Sequence, residues 1–580
     1  MNPQVLLRDQ RAGRWLQFAD PQAHLVARDP GEIVAVIQQA HALARAGLHV
    51  AGFISYEAAA AFDPSLRTHA AAALPLAWFT GFTSASPVAS PRAVLPPPEL
   101  TWTPDITEAA YRQALAEIRA LIAAGDTYQV NFSYRLRASL DPHALGRLPA
   151  LFASMVARQP NGLGAYLETD QWAILCASHE LFFEVTAGRI RSRPMKGTVT
   201  RGTDPESDAA NARWLAGSAK NRAENLMITD MVRNDLGRIA HPGTVRTSNL
   251  FALEPYPTLW QMTSTITAIS DADLTGILQA LFPAASITGA PKHRTMAIIC
   301  ALEATPRQIY TGTIGYLRPD GSAQFNVAIR TALVDKRTGA AEYGVGGGIV
   351  WDSDPTEELI ESQAKSLIVV TPAPRFELLE TLLWTPTDGY ARCAAHLARL
   401  QRSAAFFDYP FDQTIVTAAL EQAAAAFPPG PCRVRLRLDA SGQPHLSHSE
   451  LRSLPSDYRV RLAAYALPRE DDPFVLNKTT NRVVYEQARA GAADADDVLL
   501  WNSRGELTES TIGNLVVELD GEWFTPPVSS GLLPGIYRQH LLDSGQVRER
   551  ILFPSDLPRC SRIMLANSVR GLWPIRLLEG

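Results

Sequence analysis

Two proline-studded stretches limit what this 580-residue chain can fold into. "TSASPVASPRAVLPPPELTWTPD" (83–105) and "VVTPAPRFELLE" (369–380) interrupt it. Proline fixes φ and removes a backbone donor, so the first stretch cannot be helix and is a poor strand. The second, shorter stretch reads as a join between modules. Length alone suggests roughly four compact units.

Between the breaks the apolar periodicity alternates between helix and strand, which predicts an α+β chain. "TEAAYRQALAEIRALIAAGD" (107–126) has helical spacing and stops at Gly125. "SAKNRAENLMITDMVRNDLGR" (218–238) places Met227, Ile228, Met231 and Val232 on one helical face. "AQFNVAIRTALV" (323–334) alternates with period two, Phe325, Val327 and Ile329 against Asn326 and Arg330. After the second break, "CRVRLRLDA" and "NLVVELDGEWFTP" read as strands. An apolar fraction of 46% and a net charge of −5 fit a globular protein and argue against a nucleic-acid surface. Five scattered cysteines, without a CxxC pair, fit a reducing compartment. With no apolar run of about 18 residues and no secretory h-region, the expectation is a cytoplasmic protein without membrane contact.

Several side chains stand out chemically. "RPMKGTVTRG" (193–202) sets Lys196 beside Gly197, where backbone can close on a ligand. Glu224 shares a helical side with Met227 and Ile228, so a carboxylate is aimed inward and needs a partner, a proton or a metal. "DPTEELIESQAKSL" (354–367) puts Glu358, Glu361 and Lys365 on one helix side. That spacing fits a solvated Glu361–Lys365 pair, or carboxylates converging with Glu224 on Mg²⁺. "GVGGGIV" (344–350) and "SITGAPKHR" (286–294) supply amides that can bind an anion.

Taken in order, "GDTYQVNFS", "SHELFFE", "RPMKGTVTRG", "AENLMITDMVRNDLGR", "SITGAPK", "GTIGYL", "FNVAIRTA" and "GGGIV" resemble the chorismate-utilising enzymes over nearly all of residues 1–370. "AGFISYEAAAAFD" (51–63) is similar to their aminodeoxychorismate branch. The resemblance implies a chorismate-binding α/β sandwich-type module, with 1–100 its N-terminal part and 101–370 its catalytic core. It also implies Mg²⁺ on Glu224 and Glu361 with Glu358 close by. Chorismate would lie against Gln129, Gly197, Thr198, Thr288, Tyr316, Arg330, Gly347 and Gly348. Glu180 matches the general acid that protonates the leaving hydroxyl, which requires burial to raise its pKa. Where isochorismate and salicylate synthases carry a lysine base, this chain has Gln129, which disfavours water addition. At position 196 anthranilate synthases have alanine and aminodeoxychorismate synthases lysine, so Lys196 is expected to be a nucleophile. An ordinary lysine, with pKa about 10.4, is neutral in roughly one molecule in a thousand near pH 7.4. The role therefore calls for burial or nearby positive charge, such as Arg193 or the metal. Gln261 stands where the family often has histidine, and His179 where it often has proline, the latter read as neutral variation. Without a "GxCxG" glutaminase nucleophile, ammonia is expected from solution or from a separate glutamine amidotransferase subunit.

"FELLETLLW…HLARL", "NKTTNRVVYEQAR", "LTESTIGNLVV", "LLPGIYRQHLL" and "NSVRGLWPI" resemble, in order, the fold-type IV pyridoxal-phosphate enzymes. The resemblance implies a two-subdomain α/β module over 377–580 after a linker at 371–376, often assembled as a homodimer. It makes Lys478 the lysine that carries pyridoxal 5'-phosphate and moves the proton, and Glu509 the partner of the pyridine nitrogen. Arg399 and the amides of Gly535, Ile536 and Tyr537 are expected at the phosphate, with Ser510, Thr511 and Ser568 as further ligands. The two modules together imply 4-aminobenzoate formation from chorismate and ammonia. The alternative is anthranilate formation joined to an amino-acid transaminase.

Overall fold

The computed structural model describes residues 2–92, 95–159, 162–202, 205–256, 259–370, 376–407, 409–467 and 472–578, without the side chains of 205–206. The expected linker at 371–376 lies, Phe376 excepted, outside the described residues. Contacts divide the chain into two compact units, the first drawn chiefly from residues up to 373 and the second chiefly from those after it. Among the described residues no helix is long and apolar enough to cross a membrane.

The first unit is an antiparallel sandwich. One layer runs, in hydrogen-bonding order, through Leu259–Ile269, Arg189–Arg193, Leu181–Thr186, Ala323–Val327, Thr313–Leu317, His49–Ile54, Ala77–Val88 and Arg14–Ala27. The other runs through Gln4–Asp9, Ala165–Glu168, Trp172–Cys176, Thr331–Asp335, Ala340–Ile349 and Gln129–Ser139. Alternate side chains of both layers, including Phe18, Phe53, Trp172 and Ile174, form the buried interior between them. Helices Ile33–Arg45, Ala219–Gly237 and Leu274–Leu281 cover the outer face of the first layer. Glu108–Ala123, Leu148–Ala157 and Lys292–Leu302 cover that of the second. Strands from the first hundred residues thus share a sheet with the core, His49–Ile54 pairing with Thr313–Leu317.

Two sequence expectations need correction. The proline-rich segment is partly strand: Ala77–Val88 runs through Pro87, which is registered opposite Leu16. The strand's other neighbour, His49–Ile54, pairs only with 77–82, so Pro87 sits on an open edge that asks for no donor. The period-two run at 323–334 is two strands, Ala323–Val327 and Thr331–Asp335, in different layers. The chain crosses between them at Ala328–Arg330, with Arg330 at φ 52°. Period two continues through the crossing because both strands are buried, so sequence alone does not mark the break.

The second unit has two parts. Gly389–Tyr390, Leu378–Thr385, Cys432–Leu438 and Pro444–Glu450 form a small antiparallel sheet in that order. Helices Cys393–Phe407 and Gln413–Ala424 cover it over Leu378, Leu382, Leu436 and Leu438. A larger mixed sheet includes Arg459–Leu462, Asp497–Trp501, Leu507–Ser510 and Asn514–Leu519. This is the two-subdomain α/β arrangement expected.

A buried ionic hub ties the first unit together. Glu303 accepts from Arg307 Nη2 at 2.6 Å, Arg307 Nε at 3.0 Å, Ser133 N at 2.9 Å and Ser133 Oγ at 2.8 Å. Arg307 also donates to the Asn131 and Ile287 carbonyls, and its own N–H donates to Glu57. Removing one member leaves buried charge uncompensated. Glu303→Ala is expected to lower unfolding free energy by about 3–5 kcal/mol, measured by urea denaturation of the purified protein.

Candidate active sites

Lys196 owes its direction to a fault in the sheet. Met195–Thr200 pairs with Leu259–Ile269, but the register shifts between Met195 and Thr198, leaving Lys196 and Gly197 as a β-bulge. Gly197 adopts φ 96°, which a side chain would resist. The carbonyls displaced from the ladder find side-chain amides instead. Asn225 Nδ2 donates to Lys196 O at 3.1 Å and to Met262 O at 3.3 Å, and Gln261 Nε2 donates to Gly197 O at 2.9 Å. Asn225 is itself held by Ser264 Oγ at 2.6 Å. Thr198 is exposed on the ladder beyond.

The lysine points at Gly348 on the facing strand. A Cβ there would lie 2.6 Å from Lys196 Nζ and 2.4 Å from Gln129 Nε2, so only glycine admits both. Gln129 is fully buried, and neither end of its amide has a partner among the described residues. An unpaired buried amide at this position is a socket for a ligand. Next along, a Cβ on Gly347 would lie 2.9 Å from Glu358 Oε2.

Carboxylates surround the lysine. Glu180 is buried and accepts from Ser286 Oγ at 2.5 Å; burial pushes its carboxyl up to about 7. Glu224 faces Lys196, Lys220 and Glu361, and burial raises its carboxyl above the ordinary value. Burial does the same for Glu358, which accepts from Ser353 Oγ at 2.7 Å. Glu361 is held low by Lys365, its partner at 2.7 Å, yet it also faces Lys196 and Glu224. The expected Glu361–Lys365 ion pair is present, and the charge of Glu361 also acts on Glu224. Glu361 thus faces both Glu224 and Glu358, carboxylates of the kind that a hard divalent cation takes together with substrate oxygen. Among the described residues, however, no group of three such side chains is placed to hold a metal ion.

Arg330 sits at the strained crossing between layers with no side-chain hydrogen bond or ion pair among the described residues. Burial lowers its pKa, and Tyr343, Tyr256, Glu361 and Tyr310 face it. Tyr316 does not join this group. Its ring packs on Phe18 inside the sandwich and under Arg318, because strand alternation turns it to the interior. The tyrosines near Arg330 are Tyr343, Tyr256 and Tyr310, brought there by strand register that no local pattern shows. Thr288 is buried, and its hydroxyl donates to Ala284 O at 3.2 Å within its own turn. His179 is more than neutral variation. It is buried with Nδ1 unpartnered, stacks edge-on to Tyr256, and is held well below its usual pKa by burial and by Arg330, Arg193 and Lys365.

In the second unit Lys478 lies between the two sheets' contributions, its carbonyl accepting from Leu379 N at 2.9 Å. Burial, with Arg399 and Arg482 facing it, brings its amine down to about 8. Glu509 accepts from Tyr485 Oη at 2.8 Å, Leu533 N at 3.0 Å and Asn514 Nδ2 at 3.1 Å, while burial lifts its carboxyl to about 7. Arg399 is more committed than expected. It grips Glu380 through Nε at 2.8 Å and Nη2 at 2.7 Å, and donates to Pro534 O at 3.1 Å. Against the upward push of burial, Arg399 and His396 hold Glu380 at about 2. His396 Nε2 is left buried and unpartnered. Pro534 leads into Gly535, the N-cap of Ile536–Asp543, where the first amides, including those of Ile536 and Tyr537, have no helical acceptor. Ser568 has a hydroxyl without a partner among the described residues. Ser510 and Thr511 differ from expectation: Ser510 Oγ closes the turn onto Gly513, and Thr511 Oγ1 donates to Asp497 at 2.5 Å. Free amides, an arginine, a serine hydroxyl, a lysine and a buried carboxylate fit a phosphorylated pyridine cofactor.

The first unit thus gathers a lysine, carboxylates and an arginine, and the second a lysine, a carboxylate and helix-end amides. The chain belongs to the chorismate binding enzyme family, which matches residues 2–370. The amino-transferase class IV family matches residues 377–578. Aminodeoxychorismate synthase component 1 of Salmonella typhimurium is 40% identical over 273 residues, covering 47% of this chain and 59% of that protein. The protein of the same name from Bacillus subtilis is 37% identical over 282 residues, covering 48% and 59%. The chain thus matches a little over half the length of these relatives. Anthranilate synthase component I of Streptococcus pneumoniae shares the fold at TM-score 0.52 and 21% identity, over 64% of this chain and 92% of that one.

Gly348→Ala tests the Lys196–Gln129 socket. Both clashing groups are ends of flexible side chains, so thermal unfolding should stay near that of the unaltered protein. Turnover of the substrate that this site takes should fall by about a hundredfold.

Proposed function

We propose that the chain aminates chorismate to 4-amino-4-deoxychorismate and then eliminates pyruvate to give 4-aminobenzoate, a folate precursor. The observation that carries the first step is Lys196 held on a bulge against Gln129 with Glu180 buried beside it. Lys196 Nζ bonds to C2 of chorismate as the ring double bond shifts and the C4–O bond breaks. Glu180 gives its proton to the departing hydroxyl. Ammonia then bonds to C4, the double bond shifts back, and Lys196 leaves as an amine. Gln129 cannot accept a proton, so it orients substrate without activating water. Arg330 binds a substrate carboxylate through paired donors. Glu224, Glu358 and Glu361 would hold Mg²⁺, which supplies positive charge against the ring carboxylate.

In the second reaction pyridoxal phosphate supplies the electron sink for pyruvate loss. Lys478 removes the C4 proton, and aromatisation drives the step. Glu509 would keep the pyridine nitrogen protonated, while Arg399, Ser568 and the amides at Gly535–Tyr537 would hold the phosphate. The pairing of a chorismate-aminating unit with a class IV unit supports a lyase over an amino-acid transaminase. We further infer that a separate glutamine amidotransferase supplies the ammonia and that the chain works in the cytoplasm.

Chromatography of products from chorismate, ammonium, Mg²⁺ and pyridoxal phosphate tests the reading; 2-aminobenzoate as product would overturn it. Lys196→Ala should abolish chorismate amination and leave the visible absorbance of the bound cofactor intact. Lys478→Ala should instead accumulate 4-amino-4-deoxychorismate. EDTA should stop chorismate consumption while elimination from supplied 4-amino-4-deoxychorismate continues. Because the acid form of Glu180 acts, and its pKa is raised to about 7, loss of that acid should contribute a downward limb to the pH–rate profile of amination above about pH 7. Glu180→Gln should flatten that alkaline limb of the pH–rate profile.

A further inference from the structure

Glu509 is given more hydrogen-bond donors than contact with a pyridine nitrogen requires. Its Oε1 accepts from Tyr485 Oη at 2.8 Å and Leu533 N at 3.0 Å, and its Oε2 from Asn514 Nδ2 at 3.1 Å. Donors of this kind stabilise the ionised carboxylate and not the acid. Two of the three are built into the surrounding framework. Asn514 is registered opposite Glu509 on the next strand, and its Nδ2 also donates to Leu533 O at 2.9 Å. A Cβ on Gly535 would lie 1.9 Å from Asn514 Oδ1, so this amide is wedged against the helix N-cap that would meet the phosphate.

Tyr485 comes from a separate element. It projects from helix Val483–Ala490 and packs among Ala463, Leu467, Val498 and Leu500. Arg482, the N-cap of that helix, stands over the Tyr485 ring at 4.6 Å and donates to Thr511 O. These apolar neighbours do not call for a hydroxyl, and a phenylalanine would fill the same space. Burial and the charge of Glu509 push the phenol well above its usual pKa, so it keeps its proton and stays a donor. The carboxylate has need of it. Burial lifts Glu509 to about 7 even though Leu533 N, Tyr485, Lys478 and Arg482 all act to lower it. A carboxyl raised this far competes with a pyridine nitrogen for one proton, and each donor on the carboxylate tips the contest toward nitrogen. The ring is an electron sink only while nitrogen keeps that proton.

We propose that Tyr485 is a positioning residue of the second unit: its hydroxyl keeps Glu509 ionised and so holds the shared proton on the pyridine nitrogen. Without that hydroxyl the proton crosses to Glu509, one N–H bond breaking as one O–H bond forms, and no other atom takes part. An ion pair then becomes a neutral pair, and the ring withdraws electrons less strongly. This role rests on the pyridoxal-enzyme reading of the second unit, which sets Glu509 at the nitrogen but does not say what fixes the proton there.

Nitrogen NMR of the full chain loaded with pyridoxal phosphate, isotopically labelled at the ring nitrogen, tests it. The unaltered chain should show a protonated nitrogen at neutral pH, with Glu509→Gln marking the unprotonated position. Tyr485→Phe should move the resonance toward that position, and Tyr485→Gln, which supplies an amide donor, should bring part of it back. Elimination from supplied 4-amino-4-deoxychorismate should slow about tenfold in Tyr485→Phe with KM unchanged. A nitrogen resonance that stays in place in Tyr485→Phe, whether or not thermal unfolding changes, makes the tyrosine merely structural and overturns the role. Release of 4-aminobenzoate by the unaltered chain is read in parallel. Its absence, with the resonance still following Tyr485, removes the lyase reading and leaves the role of Tyr485 standing. A full chain that takes up no pyridoxal phosphate overturns both.

Discussion

Glu303 and the arginines around it set the frame on which the first cleft is hung. A carboxylate taking hydrogen bonds from Arg307 and Ser133 in a dry interior leaves little freedom to anything attached to it. Ser133 belongs to the strand that begins at Gln129, and Arg307 fixes the carbonyls of Asn131 and Ile287 on both sides of that strand's start. Glu57, from the first hundred residues, accepts from the Arg307 and Gln308 backbone. Residues distant in sequence are therefore locked to the strand that aims Gln129. Ionic burial of this kind is a poor source of net stability, but it penalises every arrangement in which one partner is missing.

Within that frame the first cleft combines opposite electrostatic demands. Glu180 is lifted toward neutrality by burial, while Glu361 is held low by Lys365. Environments that push similar groups apart in pKa let one serve as an acid and another as a ligand. Burial lowers both Arg330 and His179, and the Arg330 charge adds to the lowering of His179. The second unit repeats the pattern, with Glu380 held low beside Arg399 and Glu509 lifted by burial despite three donors.

Much of the layout is legible in the residues. The helix at 107–126 appears as Glu108–Ala123 with Thr107 as its N-cap, because the apolar spacing and the capping residue agree. The helix carrying Glu224 buries Ile228 and Val232 as its pattern requires. What the sequence conceals depends on partners far along the chain. The bulge at Lys196 exists only relative to Leu259–Ile269, and the crossing at Arg330 hides in an unbroken alternation. Tyr316 was placed by its motif, but the face it occupies follows from sheet register, which no local pattern encodes. Ser510 and Thr511 read as free hydroxyls until turn geometry and the buried Asp497 claim them. Glu380 and His396 give a faint signal, a carboxylate in an apolar run and a histidine one helical turn before Arg399.

The two amide side chains that cap the kinked strand have a wider consequence. A residue on a regular strand is bound to one face, and exchanging it repacks a core. Position 196 is released from that alternation, its backbone anchored by Asn225 and its neighbour's by Gln261. The side chain there is consequently a replaceable tool on a fixed handle. Chemistry at this cleft can be rewritten by one codon while the surrounding scaffold keeps its packing.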